Sequence, residues 1–252
     1  RDSEEASAMK IRIKFRKYGI LRFIGHLDVM RCFQKIMRRA EIPIAFTGGF
    51  SPHMIMSFAS PLGIGLESDG EYMDIEISEP VDSSEAVRRI NRAGVEGIEV
   101  LSFRRIAEEK KMTGMTILAA ADYLITPRDG LCPGNWQDHF RSFMEQDVIC
   151  VMKQTKRSER EVDLRPLIYQ WEFRDSSVFV QTTAGSTENL KPDLIMDAFL
   201  KYAAYPSDST EPLHPGSFVY RRLEMYADAG KDGTRQLVTL ESLGEEIRRE
   251  DN

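Results

Sequence analysis

Hydrophobic and polar residues alternate along Lys10-Ile-Arg-Ile-Lys-Phe-Arg16 with period two. That is the pattern of a strand with an apolar face and a wet, basic face. Past the Tyr18-Gly19 turn the period lengthens. Leu27, Met30, Phe33, Ile36, Met37 and Ala40 recur every three or four residues, which predicts an amphipathic helix over 27–40, ended by Pro43. Arg31, Lys35, Arg38 and Arg39 fall largely outside its apolar stripe. Strands are predicted at 55–59 and 71–77, joined by a long loop with turn chemistry at Pro61-Leu-Gly-Ile-Gly65 and Asp69-Gly70. A second helix starts at Asp82 or Ser83 and stops at Gly94, and a strand over 98–103 closes the unit.

The same order of elements returns after the polar stretch Ala107-Glu-Glu-Lys-Lys111 and Gly114. Strands are predicted at 116–126, 148–154, 165–173, 178–183 and 217–226, with helices at 136–144 and 192–202. Pro192 sits in a first helical turn, where its missing amide hydrogen costs least. The expected fold class is therefore α+β. It comprises two tandem ferredoxin-like βαββαβ domains with antiparallel sheets, residues 9–106 with the basic helix and 115–226. Residues 1–8 and 227–252 are expected to be tails, the second extended or partly disordered because it holds glycine and charge with little periodicity. In a ferredoxin-like unit the sheet face away from the helices is open and available for binding.

Composition narrows the class. With 42% hydrophobic and 29% charged residues, the chain has apolar side chains enough for two ordinary cores. Cys32, Cys132 and Cys150 are odd in number and widely spaced, which argues against a disulfide framework and lacks the close spacing of an iron–sulfur site. No Cys-x-x-Cys or His-x-x-x-His pair suggests zinc, so no metal and no cofactor are expected. No apolar run reaches 18 residues, and Arg1–Ala8 is acidic and polar rather than signal-like, so no membrane partner and a cytoplasmic location are expected.

Charge changes the picture most. The chain carries a net −6, yet residues 9–57 hold ten cations against Asp28 and Glu41, a net of +8. Such asymmetry points to phosphate as a ligand of the first half. Arg22, Arg31, Lys35, Arg38 and Arg39 are the candidate nucleic-acid contacts, with Phe50 as a candidate for stacking on bases. Lys156, Arg157, Arg160 and Arg165 form a second cationic cluster, in which Arg165 either contacts ligand or pairs structurally with Asp163. Two readings stand for His26: a general base on a ribose hydroxyl, or a residue that packs at the helix start after Gly25. His53 likewise either shares that site or ends the Gly48-Gly49 loop.

Arg22-Phe-Ile-Gly-His-Leu-Asp-Val-Met-Arg31, Arg38-Arg39-Ala40, Gly48-Gly-Phe-Ser-Pro-His53, Pro61-Leu62, Glu67-Ser-Asp-Gly-Glu-Tyr72 and Glu161-Val-Asp-Leu-Arg-Pro166 together resemble the uncharacterised radical SAM-associated family. Its members are fused to, or encoded beside, a radical S-adenosylmethionine protein, so the resemblance implies a radical SAM protein as partner. More distantly, the layout is similar to the RNA-processing proteins of CRISPR systems, which pair two ferredoxin-like domains. Their glycine-rich loop near the C-terminus has no match here, the nearest segment being Pro215-Gly-Ser-Phe218. The expected function is an accessory protein that binds RNA through the first domain and supports modification by a radical SAM enzyme. The alternatives are a metal-independent endoribonuclease using His26 and His53, and a protein–protein adaptor.

Overall fold

A computed structural model of the chain describes residues 8–154, 159–205 and 212–248. The expected tail 1–8 apart from Ala8, and Lys156 and Arg157 of the second cationic cluster, lie outside the described residues. The fold is α+β, with a mostly antiparallel sheet and five helices among the described residues. The chain divides into two compact units. One holds residues up to Ala120 together with those from Arg222 onward; the other is Ala121–Arg221.

The first unit runs β1 (Met9–Lys17), α1 (His26–Arg39), β2 (Met56–Phe58), β3 (Glu67–Ile77), α2 (Ser83–Ala93), β4 (Ile98–Arg105) and a single turn α3 (Gly114–Ile117). β1 pairs antiparallel with both β3 and β4, and β2 adds to β3. Alternation along β1 works as read: Ile11, Ile13 and Phe15 point into one core with Val29, Phe33, Ile36 and Met37 of α1 and Ala86 and Ile90 of α2. Phe15 meets Phe33 edge-on at 4.8 Å. α2 begins at an Asp82 cap, whose carboxylate accepts the amides of Ser84 and Glu85 at 2.9 and 3.0 Å.

The second unit contains β5 (Leu118–Pro127, from Ala121), α4 (Trp136–Met144), β6 (Cys150–Gln154), β7 (Glu159–Asp163), β8 (Ile168–Arg174), β9 (Ser177–Thr183) and α5 (Pro192–Ala203). β5, β9 and β8 are neighbours in that order, and β6 and β7 form a separate hairpin. Its core is aromatic: Phe140 lies within 5.1 Å of Phe199 and 6.0 Å of Trp171. α4 has the bounds that its periodicity predicts. β7 carries no strand pattern in its sequence, since Glu159-Arg-Glu-Val-Asp163 has a single apolar residue.

Three expectations need correction. The units divide within β5 and within β10 (Phe218–Asp228), not at the 107–114 linker, since Arg222 onward belongs with the first unit. The stretch from Ala227 is no loose tail over 237–248: β11 (Leu237–Thr239) pairs with β10, β12 (Glu245–Glu246) pairs with β4, and Leu240 is fully buried. Its two short strands are too brief for a period to register. In the first unit the sheet face opposite the helices is not open as expected but covered around Arg12. Arg12 is only 2% exposed and donates to the Leu240 and Met112 carbonyls, while Gly114 donates its amide to Asp74.

Candidate nucleic-acid interface

Four of the five cations of β1, all but Lys10, are consumed by the fold. Arg12 makes a two-pronged pair with Asp74 at 2.8 and 3.0 Å. Lys14 reaches Glu224 at 2.7 Å and Glu241 at 3.2 Å, and Arg16 reaches Asp69 and Glu99, both at 3.0 Å. Lys17 is buried and donates to the Ile24 carbonyl at 2.9 Å. Burial pushes its ammonium down, with Glu71 pulling it back. Glu71 is itself buried with Arg222 at 3.0 Å; burial pushes its carboxyl up, against Arg222, Ser68 and Lys17. These are scaffold charges, and the sequence hides them because each partner is distant along the chain.

α1 tells a different story. Its buried residues Val29, Phe33, Ile36 and Met37 leave the opposite face to solvent, and Arg31, Lys35, Arg38 and Arg39 are all exposed there. Arg31 meets Asp28 at 3.3 Å with both side chains open to water, a pair worth little. Lys35, Arg38 and Arg39 make no ion pair among the described residues. Arg38 and Arg39 occupy the last turn, where the helix dipole favours cations. Arg89 of α2 closes that end by donating to the Ala40 and Glu41 carbonyls. Arg92, in the last turn of α2, is exposed as well.

The other candidates divide. Arg22 is half-buried, lies 4.7 Å from the ring of Phe23 and reaches Glu67 at 3.4 Å. Phe50 is wholly exposed at the tip of the 47–53 loop. Arg165 is in the second unit, where its guanidinium donates to the Ile168 carbonyl. The Asp163 carboxylate takes the backbone amides of Arg165 and Ile149 at 3.0 and 2.9 Å, so Asp163 orders this turn through the main chain.

His26 opens α1 with its ring edge-on to Phe58 at 4.9 Å. It lines a cavity of about 10 Å³ with Lys17, Leu62 and Glu71, room for a single water. His53 makes its contacts elsewhere, with Nδ1 3.1 Å from the Thr47 hydroxyl. The two imidazoles share no hydrogen-bond partner among the described residues. Leu27, placed in the apolar stripe by its spacing, is 64% exposed, and Val29 takes the buried position instead. Among the described residues no three His, Cys, Asp or Glu side chains converge on a metal position, and no helix is long and apolar enough to cross a membrane.

Comparison with known families places residues 10–192 within the model of DUF2344, described as an uncharacterised protein conserved in bacteria. No curated protein matches the chain.

Proposed function

The chain belongs to that uncharacterised family conserved in bacteria, and from this premise we propose a non-catalytic role: it binds RNA along the solvent face of α1 and supports modification of that RNA by a radical SAM enzyme. One observation carries the binding. Lys35, Arg38 and Arg39 stand exposed and without an ion pair among the described residues, whereas Arg12, Lys14 and Arg16 of β1 are matched by acids and Lys17 is buried. Unmatched cations three and four residues apart repel one another on a helix, which offsets what the helix dipole gives Arg38 and Arg39; neutralising phosphates and releasing their counterions turns them to use. The enzyme partner rests on the resemblance carried by Arg22–Arg31 and Gly48–His53.

We also read both units as ferredoxin-like. The order β1, α1, β2, β3, α2, β4 with α1 and α2 packed on one sheet face supports this for the first, and β5, α4, β8, β9, α5, β10 for the second, with the β6–β7 hairpin as an insertion.

The role is tested by fluorescence anisotropy with a labelled RNA oligonucleotide at low salt. The parent binds, and Lys35→Ala/Arg38→Ala/Arg39→Ala lowers affinity at least about tenfold, because three phosphate partners go together. With chelator present the RNA remains intact. Cleavage abolished by both His26→Ala and His53→Ala would replace this role with that of a ribonuclease, and absence of binding by the parent would leave an adaptor.

A further inference from the structure

The segment between α1 and β2 folds into a loop that is closed at its base and open at its tip. Phe46 and Met54 form an antiparallel bridge. One step inward the Thr47 amide donates to the His53 carbonyl at 2.9 Å, the His53 amide donates to the Thr47 hydroxyl at 3.2 Å, and that hydroxyl lies 3.1 Å from His53 Nδ1. Gly49 takes φ +98°, a conformation that a side chain would strain, and Pro52 fixes its own φ. The backbone that carries Phe50 is thereby set in advance.

Phe50 itself is uncovered. Its relative exposure is 112%, and among the described residues neither a ring nor a cation lies against it. An exposed phenyl ring forgoes roughly 1.5–3 kcal/mol of burial, and a loop already ordered loses little further entropy when a ligand covers that ring. Its neighbours Gly49 and Ser51 are small, so a flat ligand has access to the ring. Phe50 follows Arg39 by eleven positions, which keeps it within about 40 Å of the C-terminal cation of α1, at 3.6 Å per residue. Phe23 offers no second platform of this kind, since the Arg22 guanidinium already lies over its ring.

We infer that Phe50 is a stacking platform for an unpaired base, that the nucleic acid gripped by this unit is single-stranded, and that His53 is the positioning residue that closes the loop beneath it. A duplex keeps the faces of its bases buried against one another, so only an unpaired base offers a ring face to Phe50. This rests on the RNA-binding reading of α1.

The test measures affinity of the full chain for a labelled single-stranded RNA of mixed sequence and for the same sequence as a duplex. Phe50→Ala is expected to weaken single-strand binding about tenfold, the effect of losing one stacked base, and to leave duplex binding and the salt dependence unchanged; Phe50→Trp retains the parent's affinity. His53→Ala weakens single-strand binding, and His53→Asn, which keeps a side-chain partner for Thr47, restores it. Parent-like affinity in Phe50→Ala, full affinity in Phe50→Leu, or an equal loss on duplex overturns the inference. The α1 reading survives those outcomes if Lys35→Ala/Arg38→Ala/Arg39→Ala still loses binding. No RNA binding by the parent overturns both.

Discussion

Arg12 shows how far a residue's role departs from its pattern. Alternation places it on the wet face of β1, yet it is nearly buried, held by both oxygens of Asp74 and by two carbonyls. A buried ion pair adds little over an apolar pair of the same shape, but removing one partner strands the other charge. Asp74→Ala is therefore expected to cost about 3–5 kcal/mol in urea unfolding, aggravated by loss of the acceptor for the Gly114 amide. A loss below about 1 kcal/mol would show that Arg12 finds water or another acceptor. Leu27 is the opposite case, an apolar residue in the first turn of α1 that falls outside the buried stripe of Val29, Phe33, Ile36 and Met37. Spacing fixes the period of a helix but not its phase when an apolar residue stands at its end. His53 was legible as a loop-closing residue or as a catalyst, and only its contact with Thr47 favours the former.

At the level of elements, α1, α2, α4 and α5 were legible to within two residues, because each carries an apolar stripe and a cap, proline or glycine at an end. Segment 237–248 was not. It is held by side chains distant in sequence: Glu241 by Lys14, and Ile247 by Ser83 in both directions at 2.8 Å. For Glu241, burial pushes the carboxyl up, but Ser102, Lys14 and Arg104 together outweigh it and hold it below its ordinary 4.5. A carboxylate depressed in the folded state stabilises that state above its unfolded value and loses the effect as pH falls through the folded one. Protection of the Leu240–Leu243 amides against hydrogen exchange should therefore fall as pH drops from about 5 to about 3, after correction for intrinsic rates, before the β1 amides open. Equal protection at both values would mean that burial of Leu240, not the charge of Glu241, holds the segment.

For the whole molecule the sign of the charge was legible and its destination was not. The +8 of residues 9–57 and the −14 that remains from the net of −6 meet inside the first unit, where Asp69, Asp74, Glu99, Glu224 and Glu241 take Arg16, Arg12 and Lys14. Long-range pairing of this kind leaves no local pattern in a sequence. On the solvent face of α1, Lys35, Arg38 and Arg39 remain as a run of exposed cations without an ion pair among the described residues. The central claim is that this face binds phosphate. It is tested most directly by the salt dependence of affinity for single-stranded RNA, comparing the parent with Lys35→Gln/Arg38→Gln/Arg39→Gln. A straight descending plot of log affinity against log salt is predicted for the parent, with the variant's slope shallower by about 2, at roughly 0.7 for each of the three phosphates that the variant no longer neutralises. A flat plot for the parent, or the same slope for both proteins, would contradict the account.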